Sequence, residues 1–271
     1  MLNTQVIVIG AGHAGVEAAL ASARLGCDTV LFTLSLDAVA NMPCNPSIGG
    51  TGKGHLVYEI DALGGEMGRG ADAVTLQSRT LNLGKGAAVQ SKRVQADRRA
   101  YAAYMKRVLE QTPNLRLVQG EVVSLCTEPG EDGRPRVTGV ITRIGEQWSC
   151  AAAVIATGTY LDGRIFVGDR NYAAGPDGML PALGLSNSLR ELGISLMRFK
   201  TGTPARVRRQ SVDFSVLEEQ PGEERPIPYS ADTPEDTFDT LAQLPCHIVY
   251  TNAETHRIIR ENISRSAMYS G

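Results

Sequence analysis

Cys44 stands between two prolines in the run Met42-Pro43-Cys44-Asn45-Pro46-Ser47-Ile48-Gly49-Gly50-Thr51-Gly52-Lys53-Gly54-His55-Leu56. A polar, basic setting of this kind can activate a thiol for nucleophilic attack. Taken alone, the residue is open to a second reading, because a single cysteine also serves as an inert small hydrophobe. Just downstream, Gly49, Gly50, Gly52 and Gly54 flank Lys53 within six residues. Backbone N–H groups and an ammonium so placed suit a phosphate. The run is not a P-loop of nucleoside triphosphatases, which needs Ser or Thr where Gly54 stands.

A second phosphate-binding signature opens the chain. Gly10-Ala11-Gly12-His13-Ala14-Gly15 matches G-x-G-x-x-G directly after the apolar run Gln5–Ile9 and before an alanine-rich helical pattern over 16–25. In that placement the first glycine makes the tight turn and the second admits a pyrophosphate. The third lets helix and strand pack closely, and the helix N-terminus offers free N–H groups to the anion. The following strand, Thr29–Thr33, ends without the usual acid for the ribose hydroxyls. No carboxylate appears until Asp37, which leaves Thr33 as a candidate partner. Ala156-Thr157-Gly158 follows the apolar run Ala151–Ala156, and a glycine turn there shifts the expected dinucleotide from NAD toward FAD.

These sites need a mainly parallel sheet with helices on both faces, so an FAD-binding Rossmann-type α/β fold is expected. The spacing predicts a helix from about Val94 to Gln111, strands over 115–118 and 121–125, and a strand over 137–144. The charged turn 128–135 joins the last two strands. Asn41–Gly54 reads as a loop, Ala151–Ala156 as a buried strand, His247–Tyr250 as a strand, and Glu254–Ile263 as a helix that partly buries Ile258, Ile259 and Ile263. Residues 1–200 are assigned to the dinucleotide domain, with a β insertion near 120–150. Residues 201–265, where the prolines and acids gather, form a second subdomain, and 266–271 begin a return to the first.

The 271 residues suffice for a large core, and 42% hydrophobic with 21% charged residues is ordinary for a globular protein. The 29 glycines exceed the usual share of about 7% and cluster in the motifs above. The five scattered cysteines form no CxxC pair, which argues against a zinc site or disulfide framework. No signal peptide or membrane-spanning run is read, and a cytoplasmic protein is expected. The net charge of −2 decides nothing about nucleic acid. Lys85, Lys92, Arg93, Arg98, Arg99, Lys106 and Arg107 are candidates for a phosphate-backbone patch or for a solvated helix face, with Arg206, Arg208 and Arg209 as a second cluster. Tyr101 and Tyr104 are expected in the core.

Read together, GAGHAGVEAA, PCNPSIGGTGKGHLVYEIDALGG, LNLGKGAAVQSKRVQADRRAY, ATGTYLDGRIFVG, KTGTPARV and TNAETHRIIRENISRSAMYSG resemble the MnmG/GidA family of tRNA uridine 5-carboxymethylaminomethyl modification enzymes. The stretches run in order over essentially the whole chain. The resemblance implies an FAD enzyme that adds an aminomethyl-type group at C5 of the wobble uridine. Methylenetetrahydrofolate would supply the carbon, glycine or ammonium the amine, and NADH the reducing equivalents. It also implies an MnmE-type GTPase partner, a homodimer, and Cys44 adding to uracil C6. Residue by residue it carries over Gly10, Ala11, Gly12, His13, Ala14, Gly15, Val122 and Ser186 as flavin contacts. It places Asn45, Gly49, Gly50 and Lys53 near the flavin or its phosphates, where the glycine turn read above adds Thr157 and Gly158. Lys92, Arg93, Arg98 and Arg99 remain the nucleic-acid candidates of the basic stretch, with the solvated face as the alternative.

Two departures are visible. Gly84 and Ala87 replace the Ser and Pro of the family's LNxSKGPAV. Family chains also continue beyond Gly271, so a second cysteine, closing flavin-binding strands and the GTPase-contacting helices are expected outside this sequence. A generic FAD/NAD(P)H oxidoreductase, a folate-dependent tRNA methyltransferase and a non-catalytic flavin-binding module stand as rival readings.

Overall fold

The computed structural model describes residues 2–266 and Tyr269. At its centre lies a four-stranded parallel sheet. Its strands run in the order β11 (Ala152–Ile155), β2 (Val6–Ile9), β3 (Thr29–Thr33) and β7 (Leu115–Gln119). Pairing aligns Ile9 with both Phe32 and Ile155, so these strands end together. The chain leaves β2 toward β3 on one side, while β11 returns on the other. Ligands of open α/β sheets bind in the crevice that such a reversal opens at the strands' C-terminal ends.

One face of the sheet carries α1 (His13–Arg24) and α4 (Arg98–Gln111). Val16, Ala19 and Leu20 of α1 meet Tyr101, Met105 and Leu109 of α4 in a core that includes Val8 and Leu31. The other face presents Ile7, Ile9, Val30 and Phe32. It is covered mainly by a second sheet, β1 (Leu2–Asn3), β10 (Gln147–Ser149), β9 (Pro135–Thr142) and β8 (Val122–Pro129), with α5 (Leu185–Glu191) against β8. Trp148 meets Phe32 edge-on at 5.3 Å, a favoured aromatic geometry. The expected α/β class is therefore observed, with a β meander doing much of the covering on that second face.

Next to the helical face stands a three-stranded antiparallel sheet of β4 (Ser47–Gly49), β6 (Ser91–Ala96) and β5 (Thr75–Leu81), accompanied by α2 (Gly54–Ala62) and α3 (Met67–Ala73). A hairpin of β12 (Arg164–Val167) and β13 (Arg170–Ala173) follows β11. Residues 201–245 contain little regular structure. Within them β14 (Glu218–Gln220) pairs with β15 (Cys246–Ile248), and α6 (Ala253–Asn262) comes after.

Four sequence expectations are corrected. The helix expected from Val94 begins at Arg98, because Lys92, Val94 and Ala96 are buried at every second position and form a strand. Asp97 then caps α4, its carboxylate accepting from the Arg99 and Ala100 N–H groups. The expected loop 41–54 contains β4, a strand too short and too glycine-rich to show a period. β11 is not buried: Val154 and Ile155 are 39% and 38% exposed, since the strand pairs along one edge only. Ile258, Ile259 and Ile263 are likewise exposed. The expected return of 266–271 falls largely outside the described residues.

Residues 201–245 are bonded to β5 at Gln77, Ser78, Arg79 and Thr80, and they are anchored in the interior at Asp72. Asp72, at the end of α3, is buried and accepts hydrogen bonds from the N–H groups of Tyr229 and Ser230 at 2.8 and 2.9 Å and from the Thr233 hydroxyl at 2.9 Å. Tyr229 reaches through to donate its hydroxyl to the Lys92 carbonyl at 2.6 Å.

Lys92 itself is 7% exposed, with Nζ 4.5 Å above the Tyr229 ring. Burial lowers its pKa to about 8, against the pull of Asp72 and Glu223. The unfolded chain holds that proton up to about pH 10.5, so below pH 8 the buried ammonium opposes folding, and the penalty fades as pH rises from 8 to 10.5. Lys92→Met is therefore expected to stabilise the fold at pH 7 by about 1–3 kcal/mol. Denaturant melts at pH 7 and pH 10 check this, and the gain should shrink at the higher pH.

Candidate functional site

The C-terminal ends of β2, β3 and β11 open onto a cleft of about 240 Å³. Gly10, Ala11, Gly12 and His13 form its floor, Thr157 and Gly158 one side, and Thr33 and Ser35 another. Val122, with Glu121, closes the far end. Two glycine motifs 146 residues apart in sequence thus face one space, because β2 and β11 are neighbours in register.

The three glycines of the first motif have different physical reasons. Gly10 has φ +103°, and a Cβ there would lie 2.4 Å from the Ala156 carbonyl oxygen. Gly15 is buried in α1, where a Cβ would come within 1.7 Å of the Gly10 carbonyl oxygen. Gly12 has an unremarkable φ of −73°, and an added Cβ would meet no protein atom within 4 Å. Nothing inside the chain requires glycine at 12. A ligand approaching the exposed N-terminus of α1 would, which is the fit expected of a pyrophosphate. His13 lines the same floor, and burial lowers its pKa, so the imidazole is neutral at physiological pH.

Ala14 and Gly15 lie behind the floor on α1. Ser186 is buried on α5 beside Leu185, which lines the cleft. Thr33 is buried, and its hydroxyl donates to the Ser35 carbonyl at 3.0 Å. Asp37 pairs with Lys106 at 3.7 Å and lies outside the lining. Glu121 was not anticipated. It is the carboxylate that lines the cleft, accepting from the Leu183 N–H and from Arg143, each at 2.7 Å. Asn41 is a second unforeseen wall residue. No local pattern marks either one, since their placement depends on strand ends and loop closure.

Cys44 adjoins the cleft through Pro43, a wall residue. Its thiol donates to the Gly202 carbonyl at 2.7 Å, and Arg206 Nη2 donates to the Cys44 carbonyl at 3.2 Å. The segment Lys200-Thr201-Gly202-Thr203-Pro204-Ala205-Arg206 therefore folds back over the cysteine loop. Asn45, Gly49, Gly50 and Lys53 continue from Cys44 along β4 to the start of α2, outside the cleft lining. Gly49 is required by Tyr229, whose hydroxyl would stand 1.8 Å from a Cβ.

The four cations assigned toward nucleic acid part company. Lys92 is buried under Tyr229, so its charge is withdrawn from the surface and that assignment is corrected. Arg98 is engaged by Asn41 and Asp177. Arg93 is half-buried on β6, directly across from Arg79. Arg99 is exposed on α4.

Residues 5–271 match the family model described as glucose inhibited division protein A. The tRNA uridine 5-carboxymethylaminomethyl modification enzyme MnmG of Caldicellulosiruptor saccharolyticus is 56% identical over 98% of this chain, and its counterpart in Clostridium botulinum is 53% identical over the same share. The chain spans 41% of the length of each. The crystal structure of Aquifex aeolicus GidA superposes with a TM-score of 0.89 at 44% identity, covering 99% of this chain and 45% of that one.

Proposed function

The chain belongs to the glucose inhibited division protein A family, and from that premise we propose that it forms the FAD-binding part of an enzyme that modifies C5 of the wobble uridine in tRNA, with Cys44 as its nucleophile. The observation that carries the reading is the juxtaposition of a pyrophosphate-shaped floor at Gly12 with a cysteine loop one residue from the cleft wall. Residues 1–200 serve as the dinucleotide domain and 201–265 as a second subdomain to which the family resemblance gives a part in binding NADH, with Gly202 and Arg206 covering the cysteine.

In this reading the N–H groups at Gly12 and His13 hold the pyrophosphate, and the neutral His13 adds no competing charge to the helix terminus. FAD, when bound, supplies electron transfer, with NADH as the reductant and methylenetetrahydrofolate as the one-carbon donor. Cys44 must first leave the Gly202 carbonyl. Its thiolate then adds to C6 of the uracil, which places electron density on C5. C5 forms its bond to the methylene carbon as one folate carbon–nitrogen bond breaks and its electron pair passes to nitrogen. The C5 proton departs to a base, the C6–S bond breaks to return the thiolate, and the amine displaces the remaining folate nitrogen from the new CH₂ group. Exposed Arg99 and half-buried Arg93 are the cations offered to the tRNA backbone. An MnmE-type GTPase partner, a homodimer and a cytoplasmic setting are carried by the family resemblance.

The test is Cys44→Ala introduced into the chromosomal gene, with wobble-uridine nucleosides quantified by mass spectrometry. Modification is expected to fall at least about a thousandfold, to the detection limit, while flavin content is retained. Full modification in Cys44→Ala would favour the generic oxidoreductase reading instead.

A further inference from the structure

We propose that Asn41 and Arg98 build a phosphate-oxygen subsite on the rim of the cleft, and that the Asp177 carboxylate occupies it until a dinucleotide displaces it. The inference rests on the dinucleotide reading of the cleft and adds residues to it.

The subsite is fixed by the cleft floor. The Ala40 N–H donates to the Ala11 carbonyl at 2.8 Å, which ties the residue before Asn41 to the glycine turn. The Asn41 side-chain oxygen accepts from Arg98 Nε and Nη2 at 3.1 and 2.7 Å. Its amide orientation is thereby set, with the NH₂ directed at an acceptor. Arg98 is held in turn as the first residue of α4, directly after the Asp97 cap. Two donors from two different elements therefore converge on one point.

An anion already sits at that point. Asp177 Oδ2 accepts from Asn41 Nδ2 at 2.7 Å and also from Arg98 Nη2. A single oxygen that takes one amide and one guanidinium donor is the pattern a phosphate oxygen would complete, because charge-assisted bonds to Arg favour such acceptors. Asp177 lies in the single turn Pro176–Gly178 with φ +56° and ψ +30°, a left-handed conformation that aspartate and asparagine adopt more readily than other non-glycine residues. Glycines at 175 and 178 flank it, so the turn can swing without disturbing a helix or strand. Met179, just beyond, is part of the cleft wall, and withdrawal of Asp177 would widen the rim. The ligand class that fits is a nucleoside diphosphate moiety, whose second phosphate would remain over the α1 N-terminus.

The exchange makes Asp177 a competitor for its own site. ADP, FAD and adenosine binding to the chain and to Asp177→Asn, Arg98→Gln and the double variant test it by calorimetry. Asparagine tolerates the left-handed turn, so Asp177→Asn removes the charge with little effect on the turn. We expect Asp177→Asn to tighten ADP and FAD by about three- to tenfold and Arg98→Gln to weaken them by about tenfold. The gain from Asp177→Asn should vanish in the Arg98→Gln background. Adenosine, which has no phosphate, should respond to neither. Parent chain that binds FAD with no tightening in Asp177→Asn would overturn this inference alone. Failure of FAD and ADP to bind any of the four proteins would overturn the dinucleotide reading with it.

Discussion

Gly15→Ala is expected to lose most of its folding stability, about 3 kcal/mol or more, whereas Gly12→Ala should melt within about 0.5 kcal/mol of the parent. Both substitutions add one methyl group to the same turn. At position 15 that methyl would lie 1.7 Å from the Gly10 carbonyl oxygen and 2.9 Å from its carbon. These are backbone atoms of the turn itself, so no rotamer change relieves the clash. Either α1 must move off β2 or the turn must open, and either movement disturbs the core of Val8, Val16 and Leu20. At position 12 the methyl would meet nothing in the protein and extend toward the cleft. Guanidinium melts of the three proteins separate the cases. A Gly15→Ala variant as stable as the parent would show that the close helix–strand contact is not what fixes this turn.

Asp72→Ala is expected to cost about 3–5 kcal/mol. The carboxylate is buried and takes three hydrogen bonds, from Tyr229, Ser230 and Thr233. Removing it strands two backbone N–H groups in the interior and releases the segment that carries Tyr229 beneath Gly49 and Lys92. Loss should therefore spread beyond α3. Proteolysis within 201–245 is expected to accelerate, and amides of β4 and β6 should exchange faster. Asp72→Asn should recover only part of this, because its oxygen can accept on one side while its NH₂ group faces the N–H of either Tyr229 or Ser230. A melt unchanged by Asp72→Ala would contradict this anchoring role.

The chemistry-bearing motifs were more legible in the sequence than the architecture around them. Gly10 to Gly15 could be read because Gly10 and Gly15 answer local demands of a strand–turn–helix unit with Gly12 at the helix start between them, and Thr157–Gly158 because it follows an apolar run. The boundary between β6 and α4 was not readable. Val94 and Ala96 fit a helical period as well as an alternating one until the burial of Lys92 is seen. Lys92 shows the same limit more sharply: a lysine in a basic run reads as surface, and only the Tyr229 ring, 137 residues away, places it inside. Asn41, Glu121 and Asp177 carry no local signature at all. Their roles come from loop closures over sequence separations as long as 136 residues, the span between Asn41 and Asp177. Cys44 lay between the two kinds: its loop was conspicuous, while its cover by Gly202 and Arg206 is tertiary.

Whether the cleft binds FAD over Gly12 is decided by a flavin titration of the parent chain and Gly12→Ala, read by quenching of FAD fluorescence and by the visible absorption bands. Saturable binding to the parent is expected, with affinity at least about tenfold lower in a Gly12→Ala protein that melts like the parent. Equal FAD affinity in the two proteins, or no binding by a folded parent chain, would contradict it.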